Sequence, residues 1–146
     1  MLFVGAIVIS YMGLLGGLAV ASPGEGLTGT LMEIVPGNWR GEAHIPAYGL
    51  LGWLVMWGLR RRGWPVPYAV PVGVLSTLVF GLWTEVAQAT VPSRQASPAD
   101  LLNDLLGGLM AAALTWYEQP ARHLVARYLE TSTAARDVRA KGTDSQ

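Results

Sequence analysis

Two short stretches of this chain hold residue types that can bind an anion or move a proton. His44 and Tyr48 stand four apart, so on a helix they share one face a turn apart. Glu85 and Gln88 repeat the pairing at a spacing of three, and Ser93, Arg94, Ser97, Asp100, Asp104 and Gly107 follow. An arginine fork holds a phosphate or carboxylate by two parallel bonds. A histidine beside carboxylates can serve as acid or base. This group contains one histidine and the chain contains no cysteine, so neither a zinc site nor thiolate chemistry is expected, and no cofactor is implied. No recognised nucleophile accompanies these residues, which places binding ahead of catalysis.

Each residue also has an ordinary reading. Ser97-Pro98-Ala99-Asp100 has the form of a helix-capping box with proline at the first helical position, so Asp100 can be a cap. Glu85 and Arg94 can pair to hold a turn. Tyr48 can be an interfacial aromatic, and His44 a water-exposed helix entry or an axial ligand of a pigment or haem. Asn103 and Asp104 can bond between helices. Gly13 with Gly17, and Gly107 with Ala111, suit close helix packing.

Composition shows what must carry these residues. Of 146 residues, 51% are hydrophobic and 14% charged, against about 25% charged in an ordinary soluble domain. Ten basic and ten acidic residues cancel, which gives no case for a nucleic-acid partner. A membrane-spanning helix needs about 20 mostly apolar residues. Four runs qualify: Met1 to Ala21, Ile45 to Leu59 extended through His44, Val66 to Ala89, and Ala99 to Tyr117. In the third, Pro65 and Pro67 lie at the start and cost little, whereas Pro71 lies inside. Ala19-Val20-Ala21 before Ser22 has the pattern of a signal-cleavage site. No basic residue precedes that apolar stretch, however, and it is longer than a signal core, so an uncleaved span is expected. The expected fold is an all-α membrane protein, a four-transmembrane-helix bundle over residues 1–117, with residues 118–146 as a tail.

Orientation follows from the basic residues. Arg60, Arg61 and Arg62 lie in one turn, and Arg122, Arg127, Arg136, Arg139 and Lys141 in the tail, against Arg40 and Arg94 in the other connections. The positive-inside rule then places both termini in the cytoplasm of a bacterial cell, in a multi-pass inner-membrane protein. Trp64, Tyr68, Trp116 and Tyr117 would form the inner aromatic belt, with Trp39, Tyr48 and Trp83 towards the outer one. Residues 121–131 read as a short amphipathic helix on the inner leaflet, and the polar remainder as disordered. This topology brings His44, Tyr48, Glu85, Gln88, Arg94, Asp100 and Asp104 to one depth at the outer face. Ionisable residues inside a membrane are costly and usually face a partner or a water-filled cavity.

Two blocks resemble the VanZ-like family, small bacterial membrane proteins named after one that gives teicoplanin resistance. The first is His44-Ile45-Pro46-Ala47-Tyr48-Gly49-Leu50-Leu51, similar to the family's histidine and tyrosine one turn apart at a helix start. The second runs from Glu85 and Gln88 through Pro92, Arg94, Ser97, Asp100 and Asp104 to Gly107. Arg40-Gly41-Glu42 replaces the Asp-Lys pair that usually precedes the family's histidine, and Asp104 stands where asparagine is commoner. The resemblance implies a cell-envelope membrane protein and this polar patch, not a reaction. The expected function is binding of an anionic headgroup, from an envelope lipid or a cell-wall precursor, by Arg94 with His44, Gln88 and Tyr48. Glu85, Asp100 and Asp104 would orient the arginine. The expected partners are membrane lipids. The rival expectation is a non-catalytic accessory subunit at the edge of a larger membrane complex.

Overall fold

A computed structural model of the chain describes residues 2–21, 26–34, 41–92 and 96–118. All regular structure among them is helical, with no strand. The helices are α1 (Leu2–Val20), α2 (Gly26–Ile34), α3 (His44–Arg61) and α4 (Val66–Gln88), followed by α5, residues 98–118. Residues 1–115 form one compact unit and 116–146 a second, of which 116–118 are described. The four expected apolar runs correspond to α1, α3, α4 and α5. The short α2 was not expected, because its run of nine residues is too brief for a span and Gly26, Thr28, Gly29 and Thr30 dilute its apolar pattern. Ser22, Trp39, Arg40, Ser93, Arg94 and the expected tail helix at 121–131 lie outside the described residues.

Local sequence explains the hairpin between α3 and α4. Gly63 has φ +84°, a left-handed conformation that an L side chain resists. Its N–H bonds to Arg60 O at 3.0 Å, and the Trp64 N–H bonds to Leu59 O at 3.2 Å, the paired bonds of a Schellman ending. Pro65 then caps α4, and Pro67 sits in its first turn, where a missing N–H is tolerated.

α1 packs against α3 and α4. Tyr11 donates to Ala47 O at 3.0 Å, and Val8, Tyr11, Met12 and Leu15 close over a core of Tyr48, Leu51 and Phe80. Gly16 lets the Trp83 ring onto α1, where a Cβ would stand 3.0 Å from Cζ3. Gly13, expected to pack closely, has nothing within 4 Å of a built Cβ. It faces outward, while Gly16, nearly a full turn on, faces α4.

The windows Phe3–Val20 and Val66–Gln88 are long and apolar enough to cross a membrane; α3 and α5 fall short of that hydropathy. A core helix of a water-soluble domain passes the same test, but such a helix is mostly buried, whereas 17% and 33% of these two windows are buried. α4 exposes Val72, Leu75, Val79, Leu82 and Val86, and α5 exposes Leu102, Leu106, Leu109, Met110 and Leu114. Contiguous apolar faces of this kind are rare on soluble monomers.

Candidate polar site at one end of the bundle

The entry to α3, the exit from α4 and the entry to α5 lie together. A turn at residues 41–43 leads into α3, and its carbonyls take the first helical N–H groups: His44 N–H bonds to Gly41 O and Ile45 N–H to Glu42 O, both at 3.1 Å. Asn103 of α5 also donates to Gly41 O, at 3.0 Å, and ties this turn across the fold. α5 begins at Pro98, as expected, with the Ser97 carbonyl accepting from Asp100 N–H at 2.9 Å. The reciprocal half of the cap differs from expectation. The Ser97 N–H is held by Glu85 Oε2 of α4 at 2.6 Å, so a neighbouring helix takes the part a capping box assigns to Asp100.

His44 Nδ1 lies 2.7 Å from Asp104 Oδ1. A carboxylate there fixes the proton on Nδ1 and leaves Nε2 as the imidazole's remaining functional atom. The ring stacks on Tyr48, centroids 5.5 Å apart and planes 5° from parallel, the contact expected of residues one turn apart. Asp100, Asp104 and Glu85 all lie close enough to act electrostatically on His44.

Tyr48 turns inward. Only 3% of it is exposed, and its hydroxyl lies 2.5 Å from Thr84 Oγ1. Thr84 donates its single hydroxyl proton to Gly81 O at 2.8 Å, so Tyr48 must be the donor to Thr84. The expected interfacial position of Tyr48 is thereby corrected, and so is its role as a donor to a ligand. Its ring fits beneath His44 and against Phe80, and its proton is used within the fold. Trp64, Tyr68, Trp83, Trp116 and Tyr117, named for the two belts, are exposed.

Two carboxylates are incompletely satisfied. Glu85 and Asp104 are both buried, at 6% and 0% exposure, and Glu85 Oε1 and Asp104 Oδ2 have no hydrogen-bond partner among the described residues. The Asp104 oxygen sits over Gly81, where a side chain would collide with it. Gln88 is buried on the same face of α4, and Asp100 Oδ1 lies over Gly41. No group of three or more metal-ligating side chains occurs among the described residues. No family model, curated protein or solved structure matches this chain.

Six of the seven expected site residues thus fall in the described part of the chain, at one end of α3, α4 and α5; Arg94, the seventh, lies outside it. Thr84, Gly81 and Gly41 were missed. Gly81, Thr84 and Gln88 are spaced three and four apart on α4, so the face that holds Glu85 was legible there. Chemically, the described groups offer one imidazole nitrogen, an amide and several carboxylate oxygens. Acceptor oxygens of this kind suit a group that brings hydrogen-bond donors.

Proposed function

We propose that the protein is a VanZ-like, multi-pass protein of the bacterial inner membrane whose polar end binds an anionic envelope-lipid or cell-wall-precursor headgroup. Arg94 and His44 Nε2 hold the anionic group, and Gln88 bonds beside them. Glu85, Asp100 and Asp104 position the two cations. The observation that carries the reading is Glu85: buried, with one oxygen fixed on the α5 entry and the other lacking a donor among the described residues. An unmet buried carboxylate oxygen is costly, and an arginine or a donor-bearing headgroup relieves it. The exposed apolar faces of α4 and α5 support placing these helices in hydrocarbon. With α1 and α3 beside them, the four make a bundle with both termini in the cytoplasm. Because the chain has no cysteine, single cysteines test this directly. Ser93→Cys and Gly26→Cys should react with an impermeant thiol reagent in intact cells, and Gly63→Cys should not. Labelling at Gly63 alone inverts the topology.

Arg94→Lys tests the binding role, since an ammonium cannot reproduce the two parallel bonds of a guanidinium. The variant should extract and melt like the parent yet lose its bound anionic lipid, as read by mass spectrometry. A destabilised variant that keeps its lipid points to the second reading, a non-catalytic accessory subunit of a larger membrane complex. The observation favouring that reading is how many polar groups are engaged with one another: His44 with Asp104, Tyr48 with Thr84, Asn103 with Gly41.

A further inference from the structure

Along the seam between α3 and α5 runs an apolar groove of about 490 Å³. Ile45, Gly49 and Trp53 line one wall, and Gly107, Met110 and Leu114 the other. Its floor is backbone, because Gly49 and Gly107 approach so closely that a Cβ on Gly49 would stand 3.2 Å from the Gly107 carbonyl oxygen. Ile45, at the α3 end of the lining, directly follows His44, which is bonded to Asp104. Trp53 bounds its far end, stacked on Trp57 at 5.9 Å, while Arg61 lies over the Trp57 ring at 4.5 Å.

We infer that this groove holds one hydrocarbon chain of a membrane lipid whose headgroup lies at the polar end. The inference rests on the binding role above and narrows its ligand from any anionic group to an intact lipid. Three observations select this occupant. The lining side chains carry no carboxylate, amide or hydroxyl, and the Trp53 indole N–H is their one polar group, so the groove suits hydrocarbon better than a polar molecule. Its length is that of a leaflet: Ile45 to Trp53 covers about 12 Å of helix, close to half of a hydrocarbon core about 30 Å thick. A partner helix would need a seam running the full thickness. Finally, the groove is continuous with the polar end, since Ile45 follows His44 and Gly107 lies one turn beyond Asp104. An amphiphile matches that sequence of polar head and apolar channel, and the backbone floor lets a chain lie deeper than side chains would permit.

The test uses the full chain in detergent micelles with 1-palmitoyl-2-oleoyl-phosphatidylglycerol as probe, and native mass spectrometry as readout. Met110→Trp fills the groove, and Val79→Trp places the same ring on an exposed face of α4, 61% exposed in the parent. The parent and Val79→Trp should retain phosphatidylglycerol, Met110→Trp should lose most of it, and excess glycerol 1-phosphate should not displace it. Unchanged retention by Met110→Trp overturns the inference, as does displacement by glycerol 1-phosphate. Should Met110→Trp not fold, Leu50→Cys carrying a spin label reports at the groove rim. Phosphatidylglycerol with a nitroxide on its chain should broaden that signal more than the signal from Val79→Cys, and equal broadening overturns the proposal. The two readings separate cleanly. Loss of lipid in Arg94→Lys but not in Met110→Trp keeps the headgroup site and removes the groove; the reverse keeps the groove and removes the anion clamp. A parent protein that retains no phosphatidylglycerol overturns both.

Discussion

The polar end of the bundle and the seam below it, where α3, α4 and α5 all meet, are both tightly packed, by opposite means. In the seam, helices meet where side chains are missing. Gly73 accepts the Met56 side chain, Gly108 lies against Thr77 Oγ1, and a Cβ on Gly107 would stand 2.7 Å from Gly49 N. The hydroxyls there each have an acceptor, Thr77 within its own helix at Val74 O, 2.7 Å away, and Thr115 across on α3 at Met56 Sδ, 3.4 Å away. At the polar end, helices meet through long-range hydrogen bonds, and two buried carboxylate oxygens find no donor among the described residues. Packing alone would be served as well by more glycine and leucine. The contrast teaches that closeness costs this chain only side chains, whereas two acids at one end each keep an oxygen unmatched among the described residues, which a further donor would satisfy.

The largest expected effect lies in the seam. Gly107→Ala sets a methyl group against the backbone of Ile45 and Gly49, which cannot yield as a side chain can. Overpacking of this kind costs about 1–3 kcal/mol and occasionally more, so the melting point in detergent should fall steeply. Gly13→Ala, with open space around it, should leave the melting point unchanged. Equal behaviour of the two would dissolve the seam as a distinct region.

Next comes the pair that closes the polar end. Asp104→Ala leaves the His44 Nδ1–H unpaired, at a cost of about 1–3 kcal/mol, whereas Asp104→Asn keeps an acceptor for it. Thermal denaturation should therefore rank parent and Asn together, with Ala well below. An Asn variant as unstable as Ala would mean that the charge, not the hydrogen bond, holds His44.

Smaller still is Tyr48→Phe. Thr84 keeps its bond to Gly81 O, so one interhelical bond is lost, worth about 0.6 and at most about 1.7 kcal/mol by the range found within membranes. Lipid retention should not change, because the hydroxyl proton is used inside the fold. Lipid loss with a normal melting point would return Tyr48 to the ligand.

The smallest effect is expected at the α5 entry. Ser97→Ala keeps the N–H that Glu85 holds, and should cost under about 0.5 kcal/mol, as for a surface change. A loss nearer 1 kcal/mol, typical of a side-chain cap, would restore the self-contained capping box.

Four of the five described helices, and the residues on each, were legible from the residues alone. Apolar runs of nearly twenty residues can only satisfy their backbone as helices, and Gly63, Pro65 and Pro98 mark the ends by conformations those residues favour or tolerate. Spacing alone put His44 over Tyr48, and Glu85 beside Gln88, because residues three or four apart share a helix face. Partners across helices were another matter. That Asp104 holds His44, that Tyr48 spends its proton on Thr84, and that Glu85 rather than Asp100 completes the Ser97 cap all depend on rotation and depth of α3, α4 and α5. Those are set by which glycines meet which carbonyls in the seam, a matter of fractions of an ångström that no helical period encodes. A sequence lists the donors and acceptors on each face; only the tertiary packing decides which of them are consumed.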